Sequence, residues 1–182
     1  MNLPNKLTML RVIMIPFFVF FMLFDKINYH NYIAAGIFIV ASLTDLLDGK
    51  IARKYNLVSN FGKFMDPLAD KLLVSAALIC FLVVPGVWMP AWAVIIIISR
   101  EFIISGFRLV ASDAGVVIAA GWWGKVKTVC QMVMSIVLII NLDNAAMNII
   151  EIVLVILSVA LTVISLVDYL VKNWSVLNDG KM

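Results

Sequence analysis

Residues 45–71 read DLLDGKIARKYNLVSNFGKFMDPLADK. Four aspartates, five lysines or arginines and two glycines stand here between apolar, helix-forming flanks. Each helical residue advances about 100°. Asp45, Asp48, Gly49, Ala52 and Arg53 therefore share one stripe, and Gly62, Asp66 and Asp70 share another. A short polar turn joins the two segments, so the two faces are placed to confront each other across antiparallel helices.

The rest of the chain explains why this is unusual. Of 182 residues, 64% are hydrophobic and only 14% charged. Soluble domains are nearer half apolar and a quarter charged, so lipid is the expected solvent. One aspartate at mid-membrane costs about 2.5–3.5 kcal/mol on insertion scales, and four cost on the order of 10–14 kcal/mol. Divalent cations relieve both the burial and the mutual repulsion. With no cysteine or histidine nearby, the hard oxygen donors point to Mg²⁺ or Mn²⁺. Two such ions bridged by carboxylates form the arrangement that clamps a phosphoryl group during displacement.

A spanning helix needs about 20 mostly apolar residues, and six candidates appear. They are 7–24, kinked or restarted at Pro16, then 32–54, 61–84, 88–111, 125–142 and 145–171. The fold expected is all-α: an integral membrane protein of six transmembrane helices in a single domain, residues 1–182. Leu3, Leu7, Leu10 and Met14 recur at helical spacing, with Asn5, Lys6 and Thr8 off the stripe. Either a short amphipathic segment lies on the membrane surface before the first span, or these residues begin that span. The apolar N-terminal run ends at Phe24-Asp25-Lys26 without a small-residue cleavage site, and reads as a retained anchor.

Six spans place both termini on one side. Thirteen of the fourteen lysines and arginines then lie on that side and only Lys26 on the other. The termini and the aspartate segment should face the cytoplasm of a multi-pass cell-membrane protein. The second to fourth spans are polar in their cytoplasmic halves, so these halves should line a cytoplasmic, metal-binding cavity. Cys80 and Cys130 sit in apolar runs without metal-ligand spacing, and His30 sits in a polar connection. None of the three is expected to do chemistry, and no nucleic-acid partner is expected.

The same residues carry a signature. Asp45, Asp48, Gly49, Ala52, Arg53, Gly62, Asp66 and Asp70 occupy all eight fixed positions of D-x-x-D-G-x-x-A-R-(x8)-G-x-x-x-D-x-x-x-D. The segment thus resembles the motif of the CDP-alcohol phosphotransferases. NLPNKLTMLR near the N-terminus, DPLADK after the second motif half and SREFIISGFR in the fourth span narrow the resemblance. It implies transfer of a phosphatidyl group from CDP-diacylglycerol to sn-glycerol 3-phosphate, with CMP leaving. It also implies two Mg²⁺ or Mn²⁺ ions on Asp45, Asp48 and Asp66. Asp70 would be the general base and a further metal contact. Asn5, Thr8, Gly49, Ala52, Arg53, Ser59 and Gly62 would bind CDP-diacylglycerol, and the protein would work as a homodimer in membrane lipid.

Ser59 and Asn60 precede the third span, where either a helix cap or a phosphate contact fits. Gly49 and Gly62 are equally the small residues that let membrane helices pack closely. An acceptor carrying its own phosphate needs a second anion site. Arg100, Arg108, Lys125 and Lys127 are the cations left for it, Arg108 foremost, with the two lysines also readable as ordinary cytoplasmic flanks. Glu101 beside Arg100 is not expected to face it, because i,i+1 neighbours diverge on a helix.

Two rival readings remain. Inositol phosphate or serine would be alternative acceptors for the same chemistry. A divalent-cation transporter would spread its carboxylates along a path across the membrane. Here they cluster towards one side, among cations that would repel the cargo.

Overall fold

The computed structural model describes residues 3–55, 60–113, 116, 118 and 121–174. Side chains are described at these positions except 3, 4, 45–55, 60–67, 70 and 113. Within them run six α-helices: α1 Leu3–Leu23, α2 His30–Tyr55, α3 Asn60–Cys80, α4 Ala91–Asp113, α5 Trp122–Ile140 and α6 Ala145–Lys172. Among the described residues there is no strand. Among the described residues three stretches are long and apolar enough to cross a membrane, Asn5–Leu23, Trp122–Ile140 and Ala145–Lys172. They fit the membrane protein that composition predicts. Among the described side chains, α2 and α3 contribute the shorter apolar stretches His30–Thr44 and Lys71–Cys80. In α4 the apolar run is interrupted by Arg100, Glu101 and Arg108.

The chain divides into two compact units, Met1–Val87 with Ser135–Asp143, and Trp88–Met134 with Asn144–Met182. In the first, α1 packs on both α2 and α3, and α2 packs on α3. Ala34, Ala35 and Ala41 of α2 and Ala69 and Ala77 of α3 are buried. Small side chains at these positions let helices approach in lipid, where no hydrophobic force drives them together. The Phe18 and Phe38 rings fill the wider gap between α1 and α2, with centroids 5.8 Å apart.

The N-terminus differs from one of its two expected forms. There is no separate surface segment: α1 runs unbroken from Leu3 to Leu23 with Pro16 inside it. In its first half Asn5, Thr8 and Arg11 are the buried residues among those described, while Leu10 and Ile13 are exposed. The amphipathic pattern is real, but its polar face points inward. An apolar side chain facing lipid loses nothing, whereas a polar one must find protein or water.

After α3, backbone bonds from Phe81 N to Ala77 O (3.0 Å) and Val84 N to Cys80 O (3.1 Å) carry a last loose turn to Pro85. Gly86 then takes φ +84°, a left-handed conformation that side chains disfavour. Asn141, also left-handed at φ 47°, ends α5 and donates from Nδ2 to Pro85 O at 3.0 Å.

In the second unit α4 packs on α6. Asn144 caps α6 by accepting from Ala146 N at 3.0 Å. The buried residues of α6 include Glu151, Val155, Ser158, Thr162, Ser165 and Tyr169. They advance by four and three residues alternately, the signature of one helix face. Two hydroxyls on this face are satisfied locally: Thr162 donates to Ser158 O at 2.6 Å and Ser165 to Thr162 O at 3.0 Å. Ile149, Ile156, Val163 and Val167 lie exposed on the remaining surface.

Candidate active site

α2 is helical through Asp45, Asp48, Gly49, Ala52 and Arg53, and α3 is helical through Gly62, Asp66 and Asp70. The helical spacing used to group these residues therefore applies along both segments. Their side chains lie outside the described residues, as does Ser59 altogether. Among the described residues no group of three or more His, Cys, Asp or Glu side chains gathers. The motif thus sits on consecutive helices that pack on each other and on α1.

Asn5 and Thr8 are described, and both are buried. Arg11 is buried as completely as Thr8. From the sequence alone Arg11 has no site role, yet Asn5, Thr8 and Arg11 follow at i, i+3 and i+6. That recurrence of polar residues in an apolar helix was the available signal for an inward-facing polar strip.

The four acceptor-site candidates all belong to the second unit, where the structure separates them into two groups. Arg100 and Lys127 share one carboxylate oxygen. Arg100 Nη1 donates to Glu101 Oε1 at 3.1 Å, and Lys127 Nζ donates to the same atom. Arg100 and Lys127 are both buried. The expectation that Arg100 and Glu101 would not meet is corrected here. Their backbone positions diverge by about 100°, but the long side chains bend back to a common point fixed by Lys127 from α5. Glu101 is a functional-region residue that the sequence reading left without a role. Its signal was an acid placed among cations in an apolar span.

Arg108 and Lys125 differ from this pair. Among the described residues neither has a carboxylate partner, and Lys125 is exposed. The Arg108 guanidinium carbon lies 5.5 Å from the centroid of the Tyr169 ring on α6. The Arg108 Nε is buried without a hydrogen-bond partner. Asp168, next to Tyr169, is held by Lys172 at 2.7 Å.

The carboxylate motif thus lies on two helices of the first unit, and the four further cations lie on α4 and α5 in the second. Residues 1–164 match the CDP-alcohol phosphatidyltransferase family, and the chain belongs to it. It is an enzyme of that type.

Its relatives are more specific. The chain is 47% identical, over 98% of each sequence, to the CDP-diacylglycerol–glycerol-3-phosphate 3-phosphatidyltransferase of Bacillus subtilis. It is 40% identical to the protein so named in Haemophilus influenzae, over 93% of this chain and 91% of the relative. A probable phosphatidylglycerophosphate synthase of Mycobacterium tuberculosis is 35% identical, over 94% of this chain and 81% of the relative.

The shared oxygen of Glu101 predicts an order of stabilities. Glu101→Gln removes the carboxylate that both buried cations share, whereas Lys127→Met leaves Glu101 still paired with Arg100. Losing one partner of a buried pair costs about 3–5 kcal/mol, so Glu101→Gln should lower the unfolding temperature in detergent further than Lys127→Met. The reverse order in a thermal melt would show that Glu101 does not hold both cations.

Proposed function

We propose that this chain transfers the phosphatidyl group of CDP-diacylglycerol to sn-glycerol 3-phosphate, giving phosphatidylglycerophosphate and CMP. The near-full-length match to the B. subtilis relative carries this reading, beside the complete eight-position motif on α2 and α3. The acceptor hydroxyl attacks the lipid-side phosphorus. A new P–O bond forms, the bond to the CMP oxygen breaks, and the hydroxyl proton passes to Asp70.

The donor set suits a hard divalent cation: four carboxylates, with no histidine or cysteine, on two helices that pack together. Asp45, Asp48 and Asp66, with Asp70, would hold two Mg²⁺ or Mn²⁺ ions, which would offset the charge of the diphosphate. Asp70 follows Asp66 by one turn into α3, nearer the lipid-side phosphorus than the cytidine, which supports its role as base. Arg53 grips the diphosphate. Gly49, Ala52 and Gly62 leave room for the nucleotide near the backbone. Asn5, Thr8 and Ser59 offer it polar contacts, Asn5 and Thr8 from the inward face of α1. Arg108 takes the acceptor phosphate, aided by Lys125, with Arg100 and Lys127, which share Glu101, as the further cations. The lack of a described carboxylate partner supports Arg108 as the leading cation.

Six spans, with both termini and the motif on the cytoplasmic side of the cell membrane, agree with the distribution of positive charge. Protomers pair as a homodimer within the lipid.

Purified protein should release CMP from CDP-diacylglycerol with sn-glycerol 3-phosphate and much less with inositol phosphate or serine. EDTA should abolish the release, and Mg²⁺ or Mn²⁺ should restore it. Preference for another acceptor, or undiminished turnover in verified metal-free protein, would overturn the reading.

Asp70→Asn keeps the shape and one oxygen of the side chain but removes the base. Turnover should fall by at least about 10²-fold, the lower end of what a general base contributes. Calorimetric binding of CDP-diacylglycerol in Mg²⁺ should stay near normal, whereas Asp45→Asn should weaken binding too. Near-normal turnover in Asp70→Asn would assign the base elsewhere.

With Cys80 and Cys130 replaced, a cysteine at Asn56 should react with an impermeant thiol reagent only after cells are opened. Labelling in intact cells would invert the topology.

A further inference from the structure

We propose that Tyr169 is a positioning residue for the acceptor phosphate, acting through the face of its ring on Arg108; this rests on the role given to Arg108 above. Arg108 enters from α4 and Tyr169 from α6, two helices that pack on each other within one unit. The guanidinium carbon stands 5.5 Å from the ring centroid. That is within the range of about 6 Å over which a cation is drawn to an aromatic face.

The ring is itself held from a second direction. Phe107, the residue before Arg108, meets it edge-on, with centroids 5.6 Å apart and planes at 83°. Successive residues of α4 thus address one ring, Phe107 by its edge and Arg108 by its charge. Tyr169 is 6% exposed, and its hydroxyl has no hydrogen-bond partner among the described residues. The ring is therefore held by packing and not by the phenol. Its backbone is pinned as well: Asn173, the C-cap of α6, donates to Tyr169 O from its backbone N at 3.2 Å and from Nδ2 at 2.7 Å.

The contrast with Arg100 explains what a ring achieves that a carboxylate would not. Glu101 orients Arg100 and Lys127 but offsets part of their charge. A ring orients a guanidinium by its quadrupole and leaves the net charge at +1. Asp168 is the carboxylate nearest in sequence to Tyr169, and it is engaged by Lys172. Arg108 is held by an aromatic face while keeping its whole charge for an incoming anion. A planar fork that is already aimed loses less rotamer freedom when it closes on phosphate.

The test compares Tyr169→Leu and Tyr169→Met, which remove the ring, with Tyr169→Phe, which keeps it. Steady-state assays vary each substrate in turn. Either aliphatic variant should raise KM for sn-glycerol 3-phosphate about tenfold, with KM for CDP-diacylglycerol within about twofold of the parent. Tyr169→Phe should restore the parental acceptor KM. Arg108→Ala should be acceptor-selective, and adding Tyr169→Leu to it should raise the acceptor KM no further, because the ring acts through the arginine.

Two aliphatic variants guard against one that fails to fold. If both raise the two KM values alike, Tyr169 is merely structural and the inference falls. It falls equally if Tyr169→Phe loses as much as Tyr169→Leu, because the hydroxyl would then be the active group. If Arg108→Ala is acceptor-selective and the aliphatic variants are not, the ring does not position the arginine, while the proposed function stands. If Arg108→Ala impairs both substrates equally, the acceptor assignment itself fails and takes the inference with it.

Discussion

A charge in hydrocarbon must find a counter-charge, water or a polarisable partner, and this requirement orders the whole molecule. Polar side chains are therefore grouped on helix faces and turned inward. In α1 the inward strip is Asn5, Thr8 and Arg11. In α6 it runs from Glu151 to Tyr169 through Ser158, Thr162 and Ser165, and two of these hydroxyls close on carbonyls of their own helix. Apolar residues such as Leu10 and Ile13 in α1 and Ile156 and Val163 in α6 lie outward, where a soluble protein would place its charges.

The same requirement produces two ways of holding a cation in the second unit. Arg100 and Lys127 are buried, and a shared carboxylate compensates them. That arrangement links one side chain of α5 to two of α4 and reduces the charge left over for a ligand. Arg108 is oriented by the Tyr169 face and retains its charge. One arrangement suits stability and the other suits recognition of an anion. Arg100 and Arg108 stand eight residues apart in α4, so a single helix carries both arrangements.

Membership of the CDP-alcohol phosphatidyltransferase family and the chemistry it implies were legible because the motif is local. Eight positions within 26 residues require only that two helices form, and both do. Helix boundaries were close for the same reason: apolar runs end where Pro, Gly, Asn or charge interrupts them. The exception at the N-terminus was a matter of direction. Leu10 and Thr8 lie on different faces in either reading, but only the packing of α1 against α2 and α3 determines which face is buried.

Composition, periodicity and the aspartate spacing by themselves determined an all-helical membrane protein with its candidate chemistry on two consecutive helices. These properties are set by residues a few positions apart, where helical geometry is a reliable ruler. The partners of the cations were decided only in the tertiary structure. Lys127 is 26 residues from Glu101, and Tyr169 lies on a helix two elements after Arg108. No spacing rule connects such residues. Long flexible side chains meet wherever helix packing brings their tips together, so Arg100 reaches Glu101 against the local rule and Arg108 finds a ring instead of an acid.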